Sequence, residues 1–260
     1  MPNIFHDVMA RRELFLILVG RNMKIRYKNS TLGFFWSLLS PIFLIVIYSI
    51  FLGILKIPMP LPVLVSGIIV WQFLAMCLGD SLYAVVGNAN LVTKASFPRV
   101  ILPLSMVGAN FINFLLSFVV LVAYLLIAKV SFGALYLLPI AVLTQFVLCL
   151  GVASILSAAN VFFRDTEHIL SVVMLAWFFL SPVIYDLSIL SDKFAADHWV
   201  HTVVFLNPMA GILTLYRVAL LSAECPGVGS LCLSVGIAWA IGGIGVAVFQ
   251  KVQSRFGDEL

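Results

Sequence analysis

The sequence predicts an all-α integral membrane protein. It has six transmembrane helices, an amphipathic interfacial helix at the N-terminus, and an external re-entrant helical cap between spans 5 and 6. Three observations predict it. Of 260 residues, 63% are apolar and 10% are Asp, Glu, Lys or Arg, with a mean hydropathy of +1.15. Soluble domains run nearer ~45–50% apolar and ~25% charged. The apolar residues also gather in uncharged blocks of span length, and the basic residues crowd one side of those blocks. So few polar side chains cannot cover a soluble globule, and disorder needs the opposite composition.

The first 31 residues carry Arg11, Arg12, Arg21, Lys24, Arg26 and Lys28. Val19, Met23 and Tyr27 recur at i, i+4 and i+8 with Leu16 beside them, while Arg21, Lys24 and Lys28 take the other side. That pattern predicts a helix lying in the interface, its cations near anionic head groups. Topology determination by the same basic residues is the plainer alternative.

Uncharged blocks follow at 32–55 (24 residues), 62–86 (25, interrupted by Asp80) and 100–128 (29). Three more lie at 130–163 (34, a loop plus a span), 169–185 (17) and 227–250 (24). About 20 helical residues cover the ~30 Å hydrocarbon core. Six spans result, the fifth barely long enough. The block 203–216 is different: its 14 residues contain Asn207-Pro208 and reach only about 21 Å as a helix. A re-entrant or interfacial helix is expected there, which makes 186–224 an external cap rather than a crossing.

Six spans place both termini on one side. Eleven basic residues fall on that side, among them Lys94, Arg99, Arg164, Lys251 and Arg255; the other holds four, Lys56, Lys129, Lys193 and Arg217. The positive-inside rule puts both termini in the cytoplasm and the chain in the cytoplasmic (inner) membrane as a multi-pass protein. No small-residue cleavage site follows the first apolar run, so no signal peptide is expected. The whole of 1–260 reads as one transmembrane domain: an interfacial segment 1–31, a bundle 32–250 and a cytoplasmic tail 251–260.

Several chemistries are missing from the sequence. No Lys follows a Gly, so no GxxxxGK[ST] phosphate loop exists, and HExxH, GxSxG and DxD patterns are absent as well. No catalytic, cofactor-binding or metal-binding residues are expected. Asp197, His198 and His201 read as a solvated loop, because nothing supplies a second ligand cluster. Cys225 and Cys232 read as two free thiols, the latter starting the last span; pairing would need an oxidising compartment. Asp80 is the one ionisable residue well inside a span, about 9 Å from its inner end. It faces a vestibule or bonds a neighbouring helix end. So little internal charge argues against ion coupling.

The first span offers a mixed face instead. Ser37, Ser40, Pro41, Leu44, Tyr48 and Phe51 fall on one side, and Leu38, Ile42 and Ile45 on the other. Hydroxyls beside aromatic rings suit a wall that conducts sugars, although ordinary helix packing makes such faces too. In the last span Gly236/Ala240, Ala238/Gly242 and Gly243/Ala247 are small residues four apart that permit close helix contact.

Several segments resemble a known family. The stretch 24–41, KIRYKNSTLGFFWSLLSP, is similar to the entry segment of the type-2 ABC export permeases that carry polysaccharide. FPRVILP at 97–103, NVFFRD at 160–165 with SPVIY at 181–185, LNP at 206–208 with Arg217, and the tail RFGDEL at 255–260 resemble its later markers, in order. O-antigen and related cell-surface polysaccharide exporters are the nearest group, with teichoic acid exporters next. The resemblance implies a homodimer docked on two copies of a separate ABC ATPase. ATP and magnesium would be held by that partner and no cofactor by this chain. It also implies a lipid-linked polysaccharide substrate passing between the two permeases, contact with membrane lipids, and no nucleic acid. By the resemblance, the loop of Asn88, Lys94, Phe97 and Arg99 contacts the ATPase, although Lys94 and Arg99 also fit a purely topological role. Arg21, Lys24, Arg26, Tyr27 and Lys28 match the family's interfacial helix. Trp36, Ser37, Ser40, Tyr48 and Phe51 would line the conduit, and Asn207, Pro208 and Arg217 would belong to the external cap. A drug or small-lipid export permease is the first alternative; a membrane-bound lipid-modifying enzyme or scaffold is the second.

Overall fold

The computed structural model describes residues 10–28, 30–56, 59–94, 97–185, 187 and 198–260. Every element among them is helical. Helix α1 (Arg12–Arg26) leads through a 3-10 turn at Gly33–Phe35 into α2 (Trp36–Leu55). There follow α3 (Leu61–Ser81), the short α4 (Ala89–Lys94), α5 (Ile101–Ile127), α6 (Leu138–Phe162) and α7 (Thr166–Leu180). After them come α8 (His198–Phe205), α9 (Pro208–Leu221), α10 (Val228–Val252) and α11 (Phe256–Glu259). Five segments, containing α2, α3, α5, α6 and α10, are long and apolar enough to cross a membrane. Residues 82–94, 97–100 and 163–165 lie at one end of the bundle, the near end, with α1 and the C-terminal segment. Residues 56, 59–60, 128–137 and 222–227 lie at the far end.

Local chemistry sets the helix ends. Pro62 and Pro139 sit in the first turns of α3 and α6, where a missing N–H costs nothing. Gly33 has φ +48°, a left-handed conformation that glycine adopts freely, and it turns the chain from α1 into α2. At the far end Lys56, Lys129 and Ser222 take left-handed φ values where α2, α5 and α9 stop.

The expected fifth span is the exception. Its helix α7 has 15 residues, about 22 Å at 1.5 Å each, which is short of a ~30 Å core. Residues 181–185 continue without helix, and backbone without a ladder must find partners elsewhere in an apolar surrounding. The re-entrant segment supplies them. Arg217 donates to the carbonyls of Pro182 (2.6 Å), Val183 (3.2 Å) and Tyr185 (3.0 Å). Asn207 caps α9 by accepting from the Met209 N–H (3.0 Å); it also accepts from Trp177 Nε1 (2.8 Å) and donates to Ser181 Oγ (2.9 Å). Gly67 of α3 makes room, since a Cβ there would fall 2.3 Å from the Val183 carbonyl oxygen.

Arg217, expected within the external cap, is 3% exposed. Its fork reaches backbone oxygens of the 182–185 segment. The re-entrant segment is also more deeply seated than a cap: every residue from Pro208 to Leu220 is buried. A helix apolar all round belongs in a core, and α9 packs on α10, α6 and α3. Ser234 of α10 donates to the Phe205 carbonyl (2.6 Å), and Tyr216 donates to Gln145 Oε1 (2.9 Å). Gln145 in turn donates to the Val70 carbonyl (2.7 Å), so one buried amide joins α3, α6 and α9.

Glycines bring α6 and α10 together. A Cβ on Gly245 would lie 2.1 Å from the Gly151 carbonyl oxygen, and one on Gly242 would lie 2.4 Å from Val147. Of the small pairs expected to make contact, Ala238/Gly242 does. Gly236 and Gly243 face open space. Cys225 and Cys232 are free, as expected, and exposed. Asp197 and the side chains of His198 and His201 lie outside the described residues; the rest contain no metal-binding cluster.

Candidate functional site

The near end has a small hydrophobic core of its own. Leu18 of α1, Ala84 and Val85 after α3, Val92 of α4, Ile101 and Leu102 of α5, Phe249 of α10 and Phe256 of α11 are all buried in it. Phe256 stacks edge-on against Phe249, their centroids 5.3 Å apart, so the C-terminal segment is packed rather than loose. Hydrogen bonds reinforce this platform. Arg99 donates to the carbonyls of Gln253 and Val92, stapling the 88–99 loop to the C-terminal segment. Asn88 accepts from Arg21 and donates to the Ala84 carbonyl (2.8 Å), tying the loop to α1.

The loop residues expected to meet an ATPase therefore divide. Asn88 is buried, Phe97 is half-buried against the near-end core, and Arg99 is turned inward; Lys94, ending α4, is exposed. The inward turn of Arg99 has a simple cause: a guanidinium offers five donors, and carbonyls at chain reversals take them. Tyr83, in the turn after α3, donates its hydroxyl to the exposed Glu167 carboxylate of α7. That bond, which the phenolate would lose, pushes the Tyr83 phenol up from its ordinary range.

Helix α1 also departs from the interfacial expectation. Lys24 and Lys28 are exposed, as head-group contacts require, but Arg21, Arg26 and Tyr27 turn into the protein. Gly108 of α5 lets α1 approach, the Phe15 ring standing 3.1 Å from where a Cβ would be. Asn22 then donates to Ser105 Oγ (3.2 Å), Tyr27 to Asn113 Oδ1 (2.8 Å), and Arg26 to Asn110 Oδ1 (2.6 Å). Arg26 also pairs with Asp80, which accepts from Asn110 Nδ2 (2.8 Å). Asp80 thus bonds a neighbouring helix end, one of its two expected roles. The inward cations have found a carboxylate and side-chain amides, stronger partners than solvent at a partly buried site.

This network backs onto a cavity of about 380 Å³ between α1, α2, α3 and α5. Arg26, Tyr27, Trp36, Ser40, Asn110 and Asn113 contribute to its wall, with Gln72 and Ser117. The cavity joins two residue groups that the sequence kept apart, the α1 cations and the α2 face. Trp36 and Ser40 also line a second groove of about 410 Å³ along α2 with Phe43, Leu44, Ile47 and Tyr48. Ser37 is buried and donates to the Phe34 carbonyl (2.6 Å), so its hydroxyl is already used. Phe51 is 47% exposed farther along the helix. Gln72, Asn110, Asn113 and Ser117 were not singled out from sequence. Asn110 and Asn113, three apart inside an apolar span, carried a readable signal: one polar stripe on one helix face.

The profile of the ABC-2 type transporter family matches residues 13–221. An O-antigen export system permease protein RfbA from Myxococcus xanthus is 30% identical, with both chains covered in full. Two proteins of the same name from Klebsiella pneumoniae are 29% and 28% identical, each over 95% of this chain and 95% of its own length.

Proposed function

The chain belongs to the ABC-2 type transporter family, and from that premise we propose that it exports a lipid-linked cell-surface polysaccharide, O-antigen-like, across the cytoplasmic membrane. The family makes it a multi-pass transporter permease whose ATPase is a separate subunit. The observation that carries the substrate is the end-to-end likeness to three O-antigen export permeases. The wall of the α2 cavity supports it: Trp36 and Tyr27 present rings, and Ser40, Gln72 and Ser117 present hydroxyl and amide groups. A purely apolar cargo would leave those groups unsatisfied.

In this reading two copies form a homodimer on two ATPase copies, with both termini in the cytoplasm and ATP and magnesium held by the partner. Helix α2 is nearly bare, 6% of its most apolar window being buried, and Gln72 is exposed in mid-span on the adjoining α3. A second copy facing α2 would enclose Trp36, Ser40, Tyr48 and Phe51 in a shared conduit. The near-end platform would transmit the power stroke. A push on Lys94 moves α4, the Asn88–Arg21 bond carries it to α1, and Arg26 and Tyr27 carry it to the cavity wall.

Deleting the gene and assaying polysaccharide on the surface and lipid-linked polysaccharide inside the cell tests the reading. Loss outside with accumulation inside is the expected result. An unchanged surface with no internal pool overturns it and brings a drug or small-lipid exporter forward.

A further inference from the structure

We infer that the cavity between α1, α2, α3 and α5 is a subsite for a neutral sugar ring, read by Asn113 and Arg26 and stacked on Trp36; this rests on the polysaccharide reading above. The first argument is an unpaired donor set. Asn113 is 4% exposed, its Oδ1 accepts from Tyr27, and its Nδ2 is buried without a partner. Arg26 spends Nη2 on Asp80 and Asn110, while its Nη1 is likewise buried and unpaired. Both residues line the same cavity. Buried N–H groups without partners are costly and rare, so two on one cavity wall mark a place where ligand oxygens belong.

Charge decides which oxygens. Arg26 is already neutralised by Asp80, and among the described residues of the wall it is the one cation. A phosphate entering here would meet no net positive charge and would lie near the Asp80 carboxylate. Hydroxyl and ring oxygens carry no such penalty, and a sugar presents them with C–H faces that pack on an aromatic ring. Trp36 is 42% exposed and lines both this cavity and the groove along α2, so a ring bound here is continuous with the path of the chain. A volume of about 380 Å³ also lies within the roughly 300–1,000 Å³ of small-molecule sites.

The test uses the whole transporter, permease and ATPase together in lipid nanodiscs. The probe is the repeat-unit oligosaccharide released from the surface polysaccharide of the producing cells. Its stimulation of ATP hydrolysis is titrated for wild type and Asn113→Asp, which keeps the oxygen that Tyr27 bonds and loses the Nδ2 donors. The variant should need roughly tenfold more oligosaccharide for half-maximal stimulation, the worth of one buried hydrogen bond. Trp36→Leu, at a half-open position, should shift the same midpoint by a few-fold through lost stacking, and it reports if Asn113→Asp fails to assemble. Unmoved midpoints in both variants overturn the subsite and leave the polysaccharide reading standing. Competition by inorganic pyrophosphate overturns the neutral-sugar assignment in favour of a lipid phosphate. A wild-type transporter that ignores the oligosaccharide overturns both readings together.

Discussion

Two arginines enter the bundle from opposite ends, and their surroundings differ in kind. Arg217, on α9, gives its guanidinium to three backbone carbonyls at 182–185 and is 3% exposed. Arg26, ending α1, gives one amino group to side chains, Asp80 and Asn110, keeps another unpaired, and lines a cavity. The first replaces missing secondary structure where α7 stops short. The second belongs to a network of movable side chains that leaves donors over. Backbone carbonyls do not rearrange without unfolding a segment, whereas side-chain partners can exchange. The contrast teaches that burial of a charge alone does not mark a functional site; the nature of its partners does.

Breaking the far-end set is expected to have the largest effect. Arg217→Leu strands the carbonyls of Pro182, Val183 and Tyr185 and should cost about 3–5 kcal/mol, as for other broken buried charge contacts. The readout is thermal unfolding in detergent together with the amount of folded protein in the membrane. Arg217→Lys should recover little, because an ammonium lacks the planar fork that spans three oxygens.

At the near end the expected loss of stability is smaller and the loss of transport larger. Asp80→Asn leaves Arg26 without its counter-charge and should cost about 1–3 kcal/mol, with export falling further than the folded fraction does. Measuring surface polysaccharide per folded permease separates the two quantities. Lys94→Glu should be the mildest for the fold, within about 0.5 kcal/mol at an exposed site. It should still weaken ATPase binding in a pull-down of the assembled complex. Unchanged binding and export would remove Lys94 from the coupling path and leave it a topological charge.

The comparison also explains what was legible in the sequence. Helix content, the order of the spans and the re-entrant segment follow from apolar block lengths, because lipid imposes length and internal hydrogen bonding on any crossing. The weakness of the fifth span was visible in its 17 uncharged residues. The remedy was not, since only the fold brings Arg217 to 182–185, more than thirty positions away. Arg217 could be assigned to the external cap from sequence, but not to these carbonyls. Trp36 and Ser40 were readable as a wall because residues of one helix share a face by periodicity. The cavity they join was not, since its other side comes from α1, α3 and α5. Arg99 shows the same limit: a basic loop residue looks free until its partner, the Gln253 carbonyl 154 residues on, is in place.

The most direct test of this division of labour makes the same change at both ends. Arg26→Gln and Arg217→Gln, expressed side by side in cells lacking the native gene, are compared for folded permease in the membrane and for surface polysaccharide. Arg217→Gln is expected to lose folded protein, whereas Arg26→Gln keeps most of it and loses export. Equal loss of folded protein in both would contradict this division, making Arg26 a structural residue like its counterpart.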